Sequence, residues 1–147
     1  MIARDDLLDA NVWLALSAAD HPQHQRARRY WHEESGDRLA FCRVTMLALL
    51  RLVTTPVVMD GLPLSVGEVW QVYRAWLRRD DVTVVREPTD CDALLDGWLS
   101  RNVITPRLWT DAYLAAFARA GALRLVSFDR DFVRFDGVDL LHLESPP

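Results

Sequence analysis

The chain has 147 residues, half of them hydrophobic and 26% charged, with a net charge of −4. That length suits one domain with a real core, and the composition is too apolar for a disordered segment. Residues 1–9 carry Arg4, Asp5 and Asp6 where a signal peptide would be apolar, and the most apolar run, 44–50, is far too short to span a bilayer. All 17 basic residues are arginine. The planar guanidinium suits phosphate, although arginine-only usage equally follows from genome composition. Cys42 and Cys91 form no ligand-spaced cluster and read as reduced core thiols, as in a cytoplasmic protein.

In chain order, Leu7-Leu8 ends a first buried strand, which runs into the loop Asp9-Ala10-Asn11, and residues 12–18 have helical character. After His21-Pro22 a second helix reaches Glu34, with Ala27, Tyr30 and Trp31 inside, and Gly36-Asp37 ends it. Residues 39–42 form a strand and 44–54 a buried helix stopped before Pro56. A loop over 55–63 leads to Ser65 and Glu68, a capping box that opens a helix with Val66, Val69, Trp70, Tyr73, Trp76 and Leu77 on one face. Residues 82–86 are strand-like, and Thr89 caps a helix carrying Leu94, Leu95, Trp98 and Leu99. Past Pro106, Thr110 caps a helix that runs to Ala120, with Gly121 as its C-cap. Residues 123–127 form a strand, 128–132 a turn and 138–143 a last strand. Short apolar strands alternating with helices indicate an α/β fold with a mainly parallel sheet covered on both faces.

In such sheets the functional crevice lies beyond the carboxyl ends of the strands. Asp9 and Asp129 each follow a strand, Asp131 shares the turn of Asp129, and Asp111 lies in the first turn of the preceding helix. Singly each has an ordinary explanation: Asp111 offsets a helix dipole, and Asp129 and Asp131 suit a turn. As a set on one rim they would repel one another unless protons or a cation intervened, and oxygen ligands suit Mg²⁺ or Mn²⁺.

The run Leu7-Leu8-Asp9-Ala10-Asn11-Val12-Trp13-Leu14-Ala15 resembles the opening motif of PIN-domain nucleases. Two further stretches resemble that family: Trp109-Thr110-Asp111-Ala112-Tyr113-Leu114-Ala115-Ala116 and Leu125-Val126-Ser127-Phe128-Asp129-Arg130-Asp131-Phe132. Their order and spacing are similar to the VapC toxins of bacterial toxin–antitoxin pairs, as are His21-Pro22-Gln23-His24 and Cys42-Arg43-Val44-Thr45. The resemblance implies a PIN-like three-layer fold, a single domain over 1–147, and an endoribonuclease dependent on Mg²⁺ or Mn²⁺ that cuts RNA such as tRNA or another structured RNA. It also implies a VapB-type antitoxin partner and a homodimer. In the mechanism this suggests, Asp9, Asp111 and Asp129 hold one or two metal ions, Asp131 is an outer ligand or orienter, and Asn11 and Thr110 fix the carboxylate rotamers. One departure stands out. PIN nucleases usually carry a further acid, often Glu, on the helix after the second strand, three residues before an Arg; counting back from Arg51 gives Ala48. Arg43 and Arg51 suit phosphate contact or, as core-edge residues, snorkelling.

Other chemistries have less support. His21, His24 and His32 invite a zinc reading but lack partners at ligand spacing, and caps and loop contacts explain them. Trp70 and Trp76 read as core or dimer packing. An aspartyl-phosphate phosphotransferase of haloacid-dehalogenase type would need a second Asp where Asn11 stands, and a lysine, of which the chain has none. A catalytically weak or inactive PIN-fold interaction module is the remaining alternative.

Overall fold

A computed structural model describes residues 4–56 and 63–145. The strands are β1 (Asp5–Leu8), β2 (Arg38–Phe41), β3 (Val82–Val84), β4 (Arg124–Ser127) and β5 (Leu140–His142). They pair in the order β3-β2-β1-β4-β5, and every pairing among the described residues is parallel. The connecting helices are α1 (Ala10–Ser17), α2 (His24–Arg29), α3 (Arg43–Val53), α4 (Val66–Leu77), α5 (Cys91–Ser100) and α6 (Trp109–Ala120).

Because successive strand residues point to opposite faces, each strand feeds two cores. Leu8, Leu39, Phe41 and Val126 pack with Trp13, Tyr30 and Tyr73, from α1, the turn after α2, and α4. Leu7, Ala40 and Leu125 pack on the other side with Trp98 of α5 and Phe117 of α6. The result is the expected helix–sheet–helix arrangement. Trp13 anchors the first core, stacked on Phe41 at 3.8 Å and meeting the edge of Trp76 at 5.2 Å.

From β1 the chain builds outward to β2 and β3 on one side, then to β4 and β5 on the other. The strand order therefore reverses between β1 and β4, which places a crevice at their carboxyl ends. At their amino ends lies a buried ion pair. Asp6, fully enclosed, accepts hydrogen bonds from Arg124 Nε (3.0 Å) and Nη2 (2.9 Å), from the Tyr30 hydroxyl and from the Gly36 N–H (2.8 Å). Position 36 has to be glycine, since a Cβ there would stand 2.4 Å from the Arg4 carbonyl oxygen.

Several local readings shift. The Asp9-Ala10-Asn11 loop contracts to a single residue, because the Asp9 side chain accepts the Ala10 N–H and lets α1 begin at once. The second helix is not uniformly α: α2 passes into a π-helical turn, Tyr30–Glu34. Asp90, at φ 77°, precedes α5 in place of Thr89; Asp tolerates that left-handed conformation better than most residues. Thr110 does not cap α6. A 3-10 turn, Pro106–Leu108, runs straight into the helix, so Leu108 takes the cap position without a side-chain bond. On α4 the buried residues are Val69 and Tyr73, with Trp76 half-buried, whereas Val66 and Trp70 face outward. Most of the expected loop over 55–63 lies outside the described residues. No described helix is long and apolar enough to cross a membrane.

Candidate metal centre

Asp9 is the first residue beyond β1. Its N–H donates to the Val126 carbonyl of β4 at 2.9 Å, which continues the ladder one step past the strand. Its Oδ1 accepts the Ala10 N–H at 2.8 Å, and its Oδ2 accepts the Ser127 hydroxyl at 2.7 Å. Ser127, the buried last residue of β4, is the hub of the rim. Its Oγ also accepts the Asp129 N–H at 3.0 Å and an Asn11 side-chain N–H at 3.3 Å. Asn11 Oδ1 in turn accepts the Phe128 N–H at 3.4 Å. Asn11 therefore reaches Asp9 through Ser127, with the serine hydroxyl between them.

Asp129 opens a 3-10 turn, Arg130–Arg134, its Oδ1 accepting the Asp131 N–H at 2.8 Å. The first turn of α6 brings Asp111 to the same place. Asp111, Asp129 and Asp131 are all half-buried, and each offers an oxygen within 4.8 Å of the others. Asp9 stands beside this trio, near enough for its charge to act on Asp111. The Asp111 carboxyl is pushed up to about 6, first by burial and then by the charges of Asp129, Asp9 and Asp131, with Arg107 opposing. Asp9 is also raised, chiefly by burial and secondarily by Asp129, against its bonds from Ser127 and Ala10. Near neutral pH such a set carries its full negative charge at a cost in stability that a cation among its oxygens would offset, and these all-oxygen donors fit a hard divalent ion.

Two contributors were not singled out from sequence. Ser127 lies within a quoted motif, and its place at a strand end, like that of Asp9, was the available signal. Arg107 donates to Asp131 Oδ2 at 2.9 Å, with Arg134 at 3.8 Å from the other oxygen. Its position four residues before Asp111 hinted at a shared helical face, but the partner it found is on another element. Thr110 is exposed, and among the described residues its side chain bonds none of the carboxylates.

Helix α3 begins immediately after β2 and its neighbour Cys42, so its first turn, with Arg43, Val44, Thr45 and Met46, adjoins the rim; Ala48 lies a turn beyond, and α3 carries no carboxylate. Arg43 donates to Met46 Sδ at 3.5 Å and to the Tyr73 hydroxyl at 3.3 Å. His21 Nδ1 accepts the Gln23 N–H, and His24 Nδ1 bonds the Ala15 carbonyl, both ordinary loop contacts. Cys42 and Cys91 are buried free thiols.

The PIN domain family profile matches residues 7–138. Ribonuclease VapC41 of Mycobacterium tuberculosis is 37% identical over 140 residues, covering 91% of this chain and 95% of that protein. Ribonuclease VapC44 of the same organism is 33% identical over 127 residues, covering 84% and 85% respectively. Among solved structures, Mycobacterium tuberculosis VapC20, a sarcin-ricin loop cleaving toxin, superposes with a TM-score of 0.63 at 18% identity, covering 90% of this chain and 96% of that one. The DNA-bound VapBC complex of Salmonella typhimurium gives 0.63 at 16% identity, covering 96% and 98%. At those identities the two structures speak for the fold alone. With the profile spanning most of its length and a 37% identical relative matched almost end to end, the chain belongs to the PIN-domain family and to its VapC ribonuclease branch.

Proposed function

We propose that the chain is a divalent-metal-dependent endoribonuclease, the toxin of a toxin–antitoxin pair, and that Asp9, Asp111, Asp129 and Asp131 form its active site. The observation that carries this reading is the convergence of these acids on the switch point of the sheet, with Asp111 pushed up to about 6 by burial and by its neighbours' charges. Asp111, Asp129 and Asp9 would hold Mg²⁺ or Mn²⁺, and Asp131, already engaged by Arg107, would orient or complete the set. When bound there, such an ion supplies an activated water for attack on an RNA phosphate and charge for the leaving 3′-oxygen. The protein's own part is positional. Ser127 holds Asp9 and the Asp129 backbone in one hydrogen-bonded unit, Asn11 fastens that unit to α1, and Arg107 limits the repulsion that Asp131 adds.

The partner reading is a VapB-type antitoxin, supported by the toxin–antitoxin complexes among the structural neighbours; a homodimer of the toxin is a further part of the proposal. The lack of a carboxylate on α3 favours one competing reading, a PIN fold of weak or absent activity. A single experiment separates them. Purified protein should cut total cellular RNA with Mg²⁺ or Mn²⁺ and not with chelator, and Asp9→Asn should abolish cutting without loss of fold. No metal-dependent cleavage, together with no thermal stabilisation by either ion, would establish the inactive module.

A further inference from the structure

A second feature lies on the same rim, beyond β2 and β3. Arg43, Val84, Val85, Arg86, Glu87, Tyr113 and Phe117 line a cleft of about 310 Å³. Its floor is apolar (Val84, Val85, Phe117), and one wall is α6, the helix that carries Asp111. Tyr113 is two residues past Asp111, ~3 Å further along the helix axis but roughly 200° around it, so the cleft opens on the other flank of α6 from the acids. The Tyr113 hydroxyl donates to Glu87 Oε1 at 2.7 Å, which fixes the ring across the cleft and leaves the other Glu87 oxygen free to accept. Arg43 and Arg86 are exposed at its edge, and among the described residues neither pairs with a carboxylate. Two arginines beside the acids are already engaged, Arg107 and Arg134, both on Asp131.

We infer that this cleft seats an unpaired nucleotide of the RNA that passes over α6 from the acids on the same rim, and so sets where the chain cleaves. The inference rests on the ribonuclease reading above. The base lies on the apolar floor against Tyr113, since aromatic rings stack on any base. Glu87 selects among bases by accepting from an exocyclic amino group, which adenine, cytosine and guanine carry and uracil does not. Arg43 and Arg86 take the flanking phosphate, a contact that carries affinity without sequence information. The cleft has no carboxylate cluster and holds no reacting atoms; Tyr113, Glu87, Arg43 and Arg86 position substrate.

The test has two arms. In chelator, a short labelled single-stranded RNA of mixed sequence is titrated by fluorescence anisotropy against the full chain, the Arg43→Ala/Arg86→Ala double variant, and Tyr113→Ala. As a control for loss of charge, Arg29→Ala/Arg78→Ala removes two exposed arginines elsewhere. In Mg²⁺, the cut sites of the same proteins, with Glu87→Gln added, are mapped by sequencing. The expected result is roughly tenfold weaker binding for the cleft double variant and for Tyr113→Ala, little change for the control, and a changed base preference near the cut for Glu87→Gln. Unchanged affinity and an unchanged cut-site map in the cleft variants would overturn the cleft while leaving the ribonuclease reading intact. Cleft-dependent binding by a chain that cuts no RNA would do the reverse. Equal weakening in cleft and control variants would reduce the effect to bulk charge and also overturn it.

Discussion

Replacing Asp111 by Asn offers a test of the acidic centre that does not depend on catalysis. The folded chain raises this carboxyl from 3.8 to about 6. A group raised in this way stabilises the fold while protonated. Its contribution is complete below the unfolded value and is lost as pH rises through about 6. At about pH 7.5, without metal, Asp111 is therefore charged at the fold's expense. Two units at roughly 1.4 kcal/mol each give about 3 kcal/mol, and the half-exposed position brings this down to about 1–2 kcal/mol after solvent screening. Asn forfeits about 0.5 kcal/mol of favourable charge at the α6 amino end. Asp111→Asn should thus melt about 2–5 °C above the parent in chelator at about pH 7.5, a gap that closes at about pH 4, where the parent carboxyl is protonated. With saturating Mg²⁺ the order should invert, because a ligand at 100 times its Kd adds about 2.7 kcal/mol to the protein that binds it. Thermal unfolding followed by circular dichroism in the three conditions measures all of this. A variant less stable than the parent in chelator, or a gap of equal size at both pH values, would refute the electrostatic account of the site.

Three further outcomes follow from the same geometry. Ser127→Ala removes the hydroxyl shared by Asp9, Asn11 and the Asp129 N–H; it should cost about 1–3 kcal/mol in urea unfolding and lower metal-dependent cleavage at least tenfold. Arg107→Ala removes the cation that counteracts the rise of Asp111, so in chelator the pH at which stability is lost should move upward, measured as the midpoint of melting temperature against pH. Asp6→Asn strands the buried Arg124 guanidinium and should cost about 3–5 kcal/mol, read as a lower urea midpoint, with the metal response kept in whatever fraction remains folded.

The strands and their order of use were legible because Leu7-Leu8, Leu39–Phe41 and Leu125-Val126 are runs that only a sheet buried on both faces would hide. The acids were legible for a related reason: Asp9 and Asp129 follow such runs directly, and chain direction in a parallel sheet then fixes which rim they share. What sequence did not disclose depends on a neighbour distant in the chain. Arg107 looks like a loop residue until the turn after β4 places Asp131 beside it. Trp70 fits the apolar stripe of α4, yet the helix rolls so that Val69 and Tyr73 face the core. Thr110 looked like a cap only because the 3-10 turn before α6, which removes the need for one, has no strong local signature.

The buried Asp6–Arg124 pair lies at the opposite end of β1 and β4 from the acids, but it acts on the same two strands. A parallel pair could slide by one residue and keep a full set of backbone bonds, but every side chain would then change faces. Asp6 and Arg124 are directly paired in the ladder, and the Asp9 N–H meets Val126 at its far end. Any slip would bury Arg124 without its carboxylate, so the misregistered chain would be unstable before its rim could form. The ion pair thus works as a ruler: from the amino ends of the two central strands it measures off the separation of Asp9 from Asp129 at their carboxyl ends.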